Sequence, residues 1–213
     1  CSMILNKVFY KFKSIISSKR RNIEQKYIHS NQYSIISCNC IGGLIYHDYK
    51  QQFLSPTINL FIESTINKYR EKYDFIGDYE LFEFKSNQDY PIGVLNDIKI
   101  HFLHYRNFNE AKKKWNARKL RINWDNIFVI MSDRDNFSPE LINDFLELPY
   151  KKVLFSHKDY SCDEIVFVER DKNKNEVDDL TKYFNFSGTK TYEYYFDFDK
   201  WLTGKYSTGE CKK

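Results

Sequence analysis

Short apolar runs alternate with longer segments of helical spacing along most of this chain. The runs carry little charge and end in polar turns, as strands buried in a sheet do. Strands that alternate with helices favour a parallel arrangement, so the pattern predicts an α/β fold with three α/β/α layers and a mostly parallel sheet. Strands are expected at about residues 33–39, 91–95, 98–105, 126–132, 152–156 and 165–168, and helices at 43–53, 60–73, 109–120, 138–148, 176–184 and 197–202.

The first 30 residues differ from the rest in spacing and charge. Apolar side chains recur every three or four positions from Ile4 to Ile16, which predicts an amphipathic helix. Seven cations and one acid give residues 1–30 a charge of +6, so the other 183 residues sum to −2 of the total of +4. We expect a basic helix at 1–30, one α/β domain at 31–203 and a mobile tail at 204–213. The helix either packs on the domain or on a second subunit, or binds an anionic membrane surface through residues 4–21.

Composition argues against several classes of protein. The domain is not basic, which argues against a nucleic-acid-binding protein. Five cysteines without regular spacing, in a chain of 213 residues, favour a reducing compartment over a disulfide framework. No signal peptide follows Met3, and no apolar run approaches the ~20 residues of a membrane span. We therefore expect a cytoplasmic protein, or one at the inner face of the membrane if the first helix binds lipid. No oligomeric state follows from these patterns.

The turn after the first strand carries the first candidate chemistry. It reads Cys38-Asn39-Cys40 and is followed by Ile41, Gly42 and Gly43 at the start of a helix. Ligands of open α/β sheets bind at such strand ends. The helix N-terminus should lower the pKa of Cys40 and make it a nucleophile. Asn39 and the N–H groups of Gly42 and Gly43 could then stabilise an oxyanion. The alternative is that Cys40 is a small buried residue at a tight turn.

Two histidines follow apolar strands. His104 and His157 each come at the end of such a run. If those strands are parallel to the first, the two imidazoles would lie at the same edge as Cys40 and could act as general bases. The alternative for each is a structural histidine that is hydrogen-bonded at a strand end.

Carboxylates and cations give two further candidates. Asp133 and Asp135 follow the most apolar strand, where an Asp-x-Asp pair can hold Mg²⁺ or Mn²⁺ against a nucleotide-sugar diphosphate. The same tripeptide also fits a loop that starts a helix. The basic segment 106–121 could bind phosphate through Lys114, Arg118 and Arg121, the two arginines sharing a helix face. A solvated helix face is the alternative.

Several motifs together resemble one bacterial family. The chain is similar to an uncharacterised family of exopolysaccharide or capsular polysaccharide biosynthesis proteins, with Cys38 where the family usually has asparagine. The turn at Asn39–Cys40 more distantly resembles a capsule acetyltransferase family that binds coenzyme A. The resemblance implies a cytoplasmic role in surface-polysaccharide assembly, but no reaction. The matching motifs are Ile36-Ser-Cys-Asn-Cys-Ile-Gly-Gly43, Ser55-Pro-Thr-Ile-Asn-Leu60, Tyr90-Pro-Ile-Gly93, Trp115-x-x-Arg118-x-x-Arg-Ile-Asn-Trp-Asp-Asn-Ile-Phe-Val-Ile130 and Asp133-Arg-Asp135.

These observations lead to one expected function and two alternatives. We expect an acyltransferase that moves an acyl group from a thioester donor such as acyl-coenzyme A to a hydroxyl of a sugar or lipid-linked sugar. One alternative is a metal-dependent glycosyl- or sugar-phosphate transferase that uses Asp133 and Asp135. The other is a non-catalytic partner in a polysaccharide assembly complex.

Overall fold

A computed structural model describes residues 32–63, 79–96, 98–134, 137–185 and 188–204. The predicted helix over residues 1–30, with its membrane contact at 4–21, lies outside the described residues. So do Asp135 and the predicted tail from residue 205 onward. None of the described helices is long and apolar enough to cross a membrane.

The described residues contain eight strands and five α-helices. Two of the helices begin at a capping residue. Asn107 and Asp197 each accept a hydrogen bond from a backbone N–H group of the first turn. The strands are β1 (Ser34–Ser37), β2 (Phe61–Ile62), β3 (Leu81–Phe84), β4 (Ile92–Leu95), β5 (Ile98–His101), β6 (Ile127–Ser132), β7 (Lys151–Ser156) and β8 (Ile165–Phe167). The helices are α1 (Ile41–Asp48), α2 (Phe108–Lys119), α3 (Leu141–Leu146), α4 (Thr191–Tyr195) and α5 (Phe198–Leu202).

The central sheet is parallel, in the order β1-β6-β7-β8. All six residues of β6 are buried, as expected for a parallel strand that is covered on both faces. Because the four strands are parallel, their carboxyl ends lie at one edge of the sheet. The predicted α/β fold is confirmed.

Each face of this sheet has its own apolar core. Ile35, Phe128 and Phe155 face one side, where α1, α4 and α5 pack. Ile36 and Val129 face the other side, where α2 and α3 pack together with a second sheet. Alternate side chains of a strand point to opposite faces, so largely apolar strands with helices on both sides produce three layers.

The second sheet is antiparallel, in the order β2-β5-β4-β3, and was not expected. β4 and β5 form a hairpin whose turn includes Asn96 at a φ of 58°. The predicted helix at 60–73 is wrong at its start, because Phe61 and Ile62 pair with β5. Ile62 N also donates to Cys38 O at 3.0 Å, which joins this sheet to the end of β1.

Residues 176–184, predicted as a helix, form turns. Val177 and Leu180 are buried in the core, which explains the helix-like apolar spacing. Thr181 N, however, which in such a helix would donate to the carbonyl of Val177, donates to Asp179 Oδ1 at 2.9 Å instead. A side-chain acceptor has therefore replaced the helical hydrogen bond.

Candidate active site at the carboxyl edge of the parallel sheet

Three neighbouring parallel strands deliver polar side chains to one edge of the sheet. Asn39 follows β1, Asp133 follows β6 and His157 follows β7. Asn39 Nδ2 donates to Oγ of Ser132, the last residue of β6, at 3.3 Å. This contact joins the turn after β1 to the end of β6. The strand order thus brings together three of the residues that the sequence singled out.

Asp133 and His157 form a buried hydrogen-bonded pair. His157 Nδ1 lies 2.6 Å from Asp133 Oδ2, and the two side chains are only 11% and 6% exposed. The same carboxylate oxygen accepts hydrogen bonds from Ser156 Oγ at 2.6 Å and His157 N at 2.8 Å. Oδ1 accepts from Val177 N at 2.9 Å. Four donors therefore hold this carboxylate in place.

The hydrogen bonds of Asp133 also set the tautomer of His157. A carboxylate is acceptor-only, so the hydrogen in the contact between the two side chains belongs to His157 Nδ1. In the neutral imidazole, Nε2 is then the nitrogen that can accept a proton. A base oriented by a carboxylate in this way suits general acid–base catalysis.

Asn39 is oriented by its own backbone turn. Its Oδ1 accepts hydrogen bonds from Ile41 N at 3.0 Å and Ser37 Oγ at 3.1 Å. Because the backbone N–H can only donate, the amide oxygen must face Ile41, and Nδ2 faces Ser132. An amide nitrogen carries two hydrogens, so a second one can be donated to a bound group. Asn39 is thus a pre-oriented donor beside the Asp133–His157 pair.

Cys40 is at the predicted place, but its pKa is shifted in the opposite direction. The residue is the N-cap of α1, and Sγ lies 3.9 Å from Leu60 O. Burial, aided by the charge of Asp179, raises the pKa of the thiol to about 11. The expected lowering by the helix N-terminus is therefore wrong, because desolvation outweighs it. At neutral pH this side chain is a thiol, so a nucleophilic Cys40 would need a base to deprotonate it.

Gly42 and Gly43 allow close packing around α1. A Cβ at position 42 would lie 3.0 Å from Ser37 Cβ, and one at position 43 would lie 2.9 Å from Asn59 Oδ1. Both glycines are buried. The approach of α1 to β1 and to the loop before β2 explains the two glycines. An additional contact of their N–H groups with an oxyanion stays a prediction.

His104 does not follow a strand of the parallel sheet. It is exposed in a turn after β5, and β5 belongs to the antiparallel sheet. The expectation that His104 ends a parallel strand beside Cys40 is therefore wrong. On the strand itself, His101 contacts Glu63 Oε1 through Nε2 at 2.7 Å and Tyr90 Oη through Nδ1 at 3.3 Å. Both of its ring nitrogens thus have partners.

Two of the three predicted phosphate-binding cations have partners within α2 or its surroundings. Arg118 Nη1 donates to Tyr105 Oη at 2.6 Å, and its guanidinium lies over the ring of Phe53 at 4.9 Å. Lys114 Nζ pairs with Glu110 at 2.7 Å. Arg121 is exposed. Arg118 is thus part of the packing, and Lys114 belongs to an exposed helical ion pair.

The contacts of the cations differ in where they lead. Asn123, two residues after Arg121, donates its N–H to Ser34 Oγ at 2.8 Å, and Ser34 is the first residue of β1. Arg118, in contrast, contacts Tyr105, whose hydroxyl donates to Ile58 O at 2.7 Å in the loop that packs on Gly43. The expectation that these cations bind the phosphates of the donor stays a prediction.

Asp133 is poorly placed for the predicted metal site. Both of its oxygens accept hydrogen bonds from protein donors. Within the described residues, which do not include Asp135, no group of three or more His, Cys, Asp or Glu side chains could hold a metal ion. The Asp133 oxygens are thus committed to His157 and its surroundings.

Several residues of this edge were not predicted. Ser132 and Ser156 end two strands and bond to Asn39 and Asp133. Val177 supplies a backbone donor, and Asp179 influences the Cys40 thiol. The serines could have been found, since they precede predicted site residues. Val177 and Asp179 come from a segment far along the chain, and nothing local marks them.

Comparison with known proteins places the chain in a family. Residues 9–203 match the model of a domain of unknown function, DUF1919. The chain belongs to this family. It is also 34% identical over 201 residues to an uncharacterised protein of Haemophilus influenzae, an alignment that covers 91% of this chain and 97% of that protein. Neither description names an activity, so the polysaccharide role and the acetyltransferase likeness stay predictions.

Proposed function

We propose that this DUF1919 protein transfers an acyl group from a thioester donor to a hydroxyl group, with His157 as the general base. The observation that carries the proposal is the 2.6 Å contact between His157 Nδ1 and Asp133 Oδ2. It fixes the imidazole with Nε2 as the proton acceptor, at the edge where α/β sheets bind ligands. Asn39, a second pre-oriented polar group, bonds to the residue that precedes Asp133.

The proposed reaction is a direct transfer. The acceptor hydroxyl gives its proton to His157 Nε2 while its oxygen forms a bond to the thioester carbonyl carbon. Asn39 Nδ2 donates to the carbonyl oxygen as that oxygen becomes negative. The carbon–sulfur bond then breaks, and the departing thiolate takes the proton back from His157. Asp133 keeps the imidazole oriented throughout and stabilises its charged form.

In this scheme Cys40 lies beside the acyl group and does not attack it. A thiol with a pKa of about 11 is almost entirely protonated at pH 7, and only the thiolate is a strong nucleophile. The direct route needs no covalent intermediate. Replacement of Cys40 by serine should therefore preserve transfer, whereas a route through acyl-Cys40 would be lost.

The resemblance supports a choice of substrates within this class. Coenzyme A thioesters are the expected donors, and a hydroxyl of a sugar or lipid-linked sugar for a surface polysaccharide is the expected acceptor. Such substrates would place the reaction in the cytoplasm or at the inner face of the membrane.

Full-length protein with acetyl-coenzyme A and a panel of sugars tests the proposal. Coenzyme A should raise the melting temperature at millimolar concentration, and transfer should release its free thiol. His157→Gln should lower kcat about 10²–10⁴-fold, the usual contribution of a general base. His47→Gln is the matched control, because His47 also lies beside an aspartate, at 3.4 Å from Asp48, but is 81% exposed. An unchanged rate in His157→Gln, or no response to any thioester, would refute the proposal.

A further inference from the structure

A second buried carboxylate lies behind the candidate site. Asp171 is fully buried at the end of a short 3₁₀ turn, Glu169–Asp171. Its Oδ1 accepts hydrogen bonds from Arg170 Nε at 3.0 Å and Lys174 Nζ at 2.7 Å. Its Oδ2 accepts from Arg170 Nη2 at 2.7 Å and from Asp178 N at 2.9 Å. This single side chain therefore gathers the segment from 170 to 178 around itself.

Two consecutive backbone N–H groups connect Asp171 to the candidate site. Asp178 N donates to Asp171, and the preceding N–H, that of Val177, donates to Asp133 Oδ1 at 2.9 Å. The residue before this segment is also held in place, because Val168 N donates to Ser156 O at 2.8 Å. Arg170 Nη1 further donates to Thr191 Oγ1 at 3.0 Å, which ties the segment to α4. We therefore expect the position of the Val177 N–H to depend on the ion pairs that Asp171 forms with Arg170 and Lys174.

We propose that Asp171 is a positioning residue for the Asp133–His157 pair and acts on it through the Val177 N–H. Residues 172–182 form turns without a helix or strand, so no regular backbone ladder fixes Val177. The carboxylate of Asp171 takes that role. Without it, Val177 N would lose its fixed direction, Asp133 Oδ1 would lose its donor, and the carboxylate could rotate. Its hydrogen bond to His157 would then lengthen or bend.

The effect on catalysis rests on the proposed function, whereas the effect on the hydrogen bond does not. A displacement of about 1 Å at a reacting group can lower a rate about 10²-fold. We therefore expect Asp171→Asn to lower kcat for acyl transfer about 10–100-fold with little change in KM. Substrate does not contact Asp171, and the loss would come from a misoriented base.

The direct test is NMR of full-length protein with ¹⁵N-labelled histidine. The Nδ1–H resonance of His157 is the one that disappears in the His157→Gln variant. In Asp171→Asn this proton should shift upfield and exchange with water at least about tenfold faster. Lys174→Met removes only one of the donors to Asp171 and should act in the same direction with a smaller effect. If Asp171→Asn does not fold, the result for Lys174→Met tests the inference instead.

The matched control is Asp48→Asn. It breaks another buried ion pair, in which Asp48 Oδ2 lies 3.0 Å from Lys190 Nζ and both side chains are 10% exposed. The contacts described for Asp48 are with His47, Lys190 and Tyr192, so the His157 proton is expected to keep its shift and exchange rate. An unchanged proton in Asp171→Asn or, failing that, in Lys174→Met would overturn the inference, as would an equal change in Asp48→Asn. If His157→Gln keeps full activity, the proposed function fails while the NMR result still stands.

Discussion

The thiol of Cys40 should be unreactive in the folded protein, and the size of the effect follows from its surroundings. Burial, aided by the charge of Asp179, raises its pKa from the ordinary 9.0 to about 11. At pH 8 the thiolate fraction then falls from about one in ten to about one in a thousand. Only the thiolate reacts with iodoacetamide, so alkylation should be about 100-fold slower in the folded than in the urea-unfolded protein.

Timed alkylation, read by mass spectrometry of the peptide that contains Cys40, measures this ratio. A Cys38→Ser background removes the neighbouring thiol from the same peptide. Restricted access would also slow the reaction, but the pH dependence separates the two causes. A raised pKa makes the rate climb until about pH 11, whereas limited access alone gives a plateau just above pH 9. A folded-state rate equal to or above the unfolded rate at pH 7–8 would refute the argument and restore Cys40 as a nucleophile.

Three further predictions concern stability and metal dependence. The hydrogen bonds from Arg170 and Lys174 outweigh burial and hold the pKa of Asp171 well below its usual range. Its stabilisation is therefore complete above the ordinary carboxyl pKa of about 4 and is lost as the pH falls. Asp171→Asn should lower the free energy of unfolding by about 1–3 kcal/mol at pH 7, because the Arg170 and Lys174 charges that it leaves are 31% and 47% exposed. It should also flatten the decline between pH 5 and pH 2, as measured by urea titration; an equally steep decline would contradict this. Gly93→Ala should cost about 1–3 kcal/mol, because its Cβ would lie 2.7 Å from Leu81 Cδ1; an unchanged urea midpoint would show that the core relaxes without cost. Acyl transfer should proceed equally well in EDTA, since Asp133 is occupied by protein donors; activity that EDTA removes and Mn²⁺ restores would favour the metal-dependent alternative.

The parallel sheet was predictable because its strands are largely apolar runs bounded by polar turns, charged only at Lys151 and Lys152 where β7 begins. The apolar runs of β6 and β7 stop just before Asp133 and His157. The local sequence pattern alone therefore places these two residues at strand ends. The antiparallel sheet could not be predicted in the same way. β2 has only two residues, and Phe61 and Ile62 also fit the three- and four-residue spacing of a helix. Their pairing with β5 is a tertiary choice that local spacing does not encode.

The direction of the pKa shift at Cys40 was also beyond the sequence. In the sequence, the two glycines after Cys40 indicate the N-terminus of a helix, which by itself would lower the pKa of this cysteine. The opposing effect comes from burial of the thiol in the folded protein and from the charge of Asp179, far away in the chain. Local pattern therefore locates the thiol, whereas its charge state depends on residues brought close only by the fold.

Asp133 rather than Cys40 is the residue on which the candidate site depends. Its carboxylate accepts hydrogen bonds from β7, from the residue after β7 and from the segment at Val177. These hydrogen bonds form together only when all three parts of the chain are in place. A buried carboxylate left without those donors would be costly, and this cost opposes any arrangement in which His157 points elsewhere. The interactions that stabilise the edge of the sheet thus also orient the proposed base. A substitution at Asp133 should therefore impair folding and proton transfer together, whereas His157→Gln, which keeps the backbone donor to Asp133, separates the two.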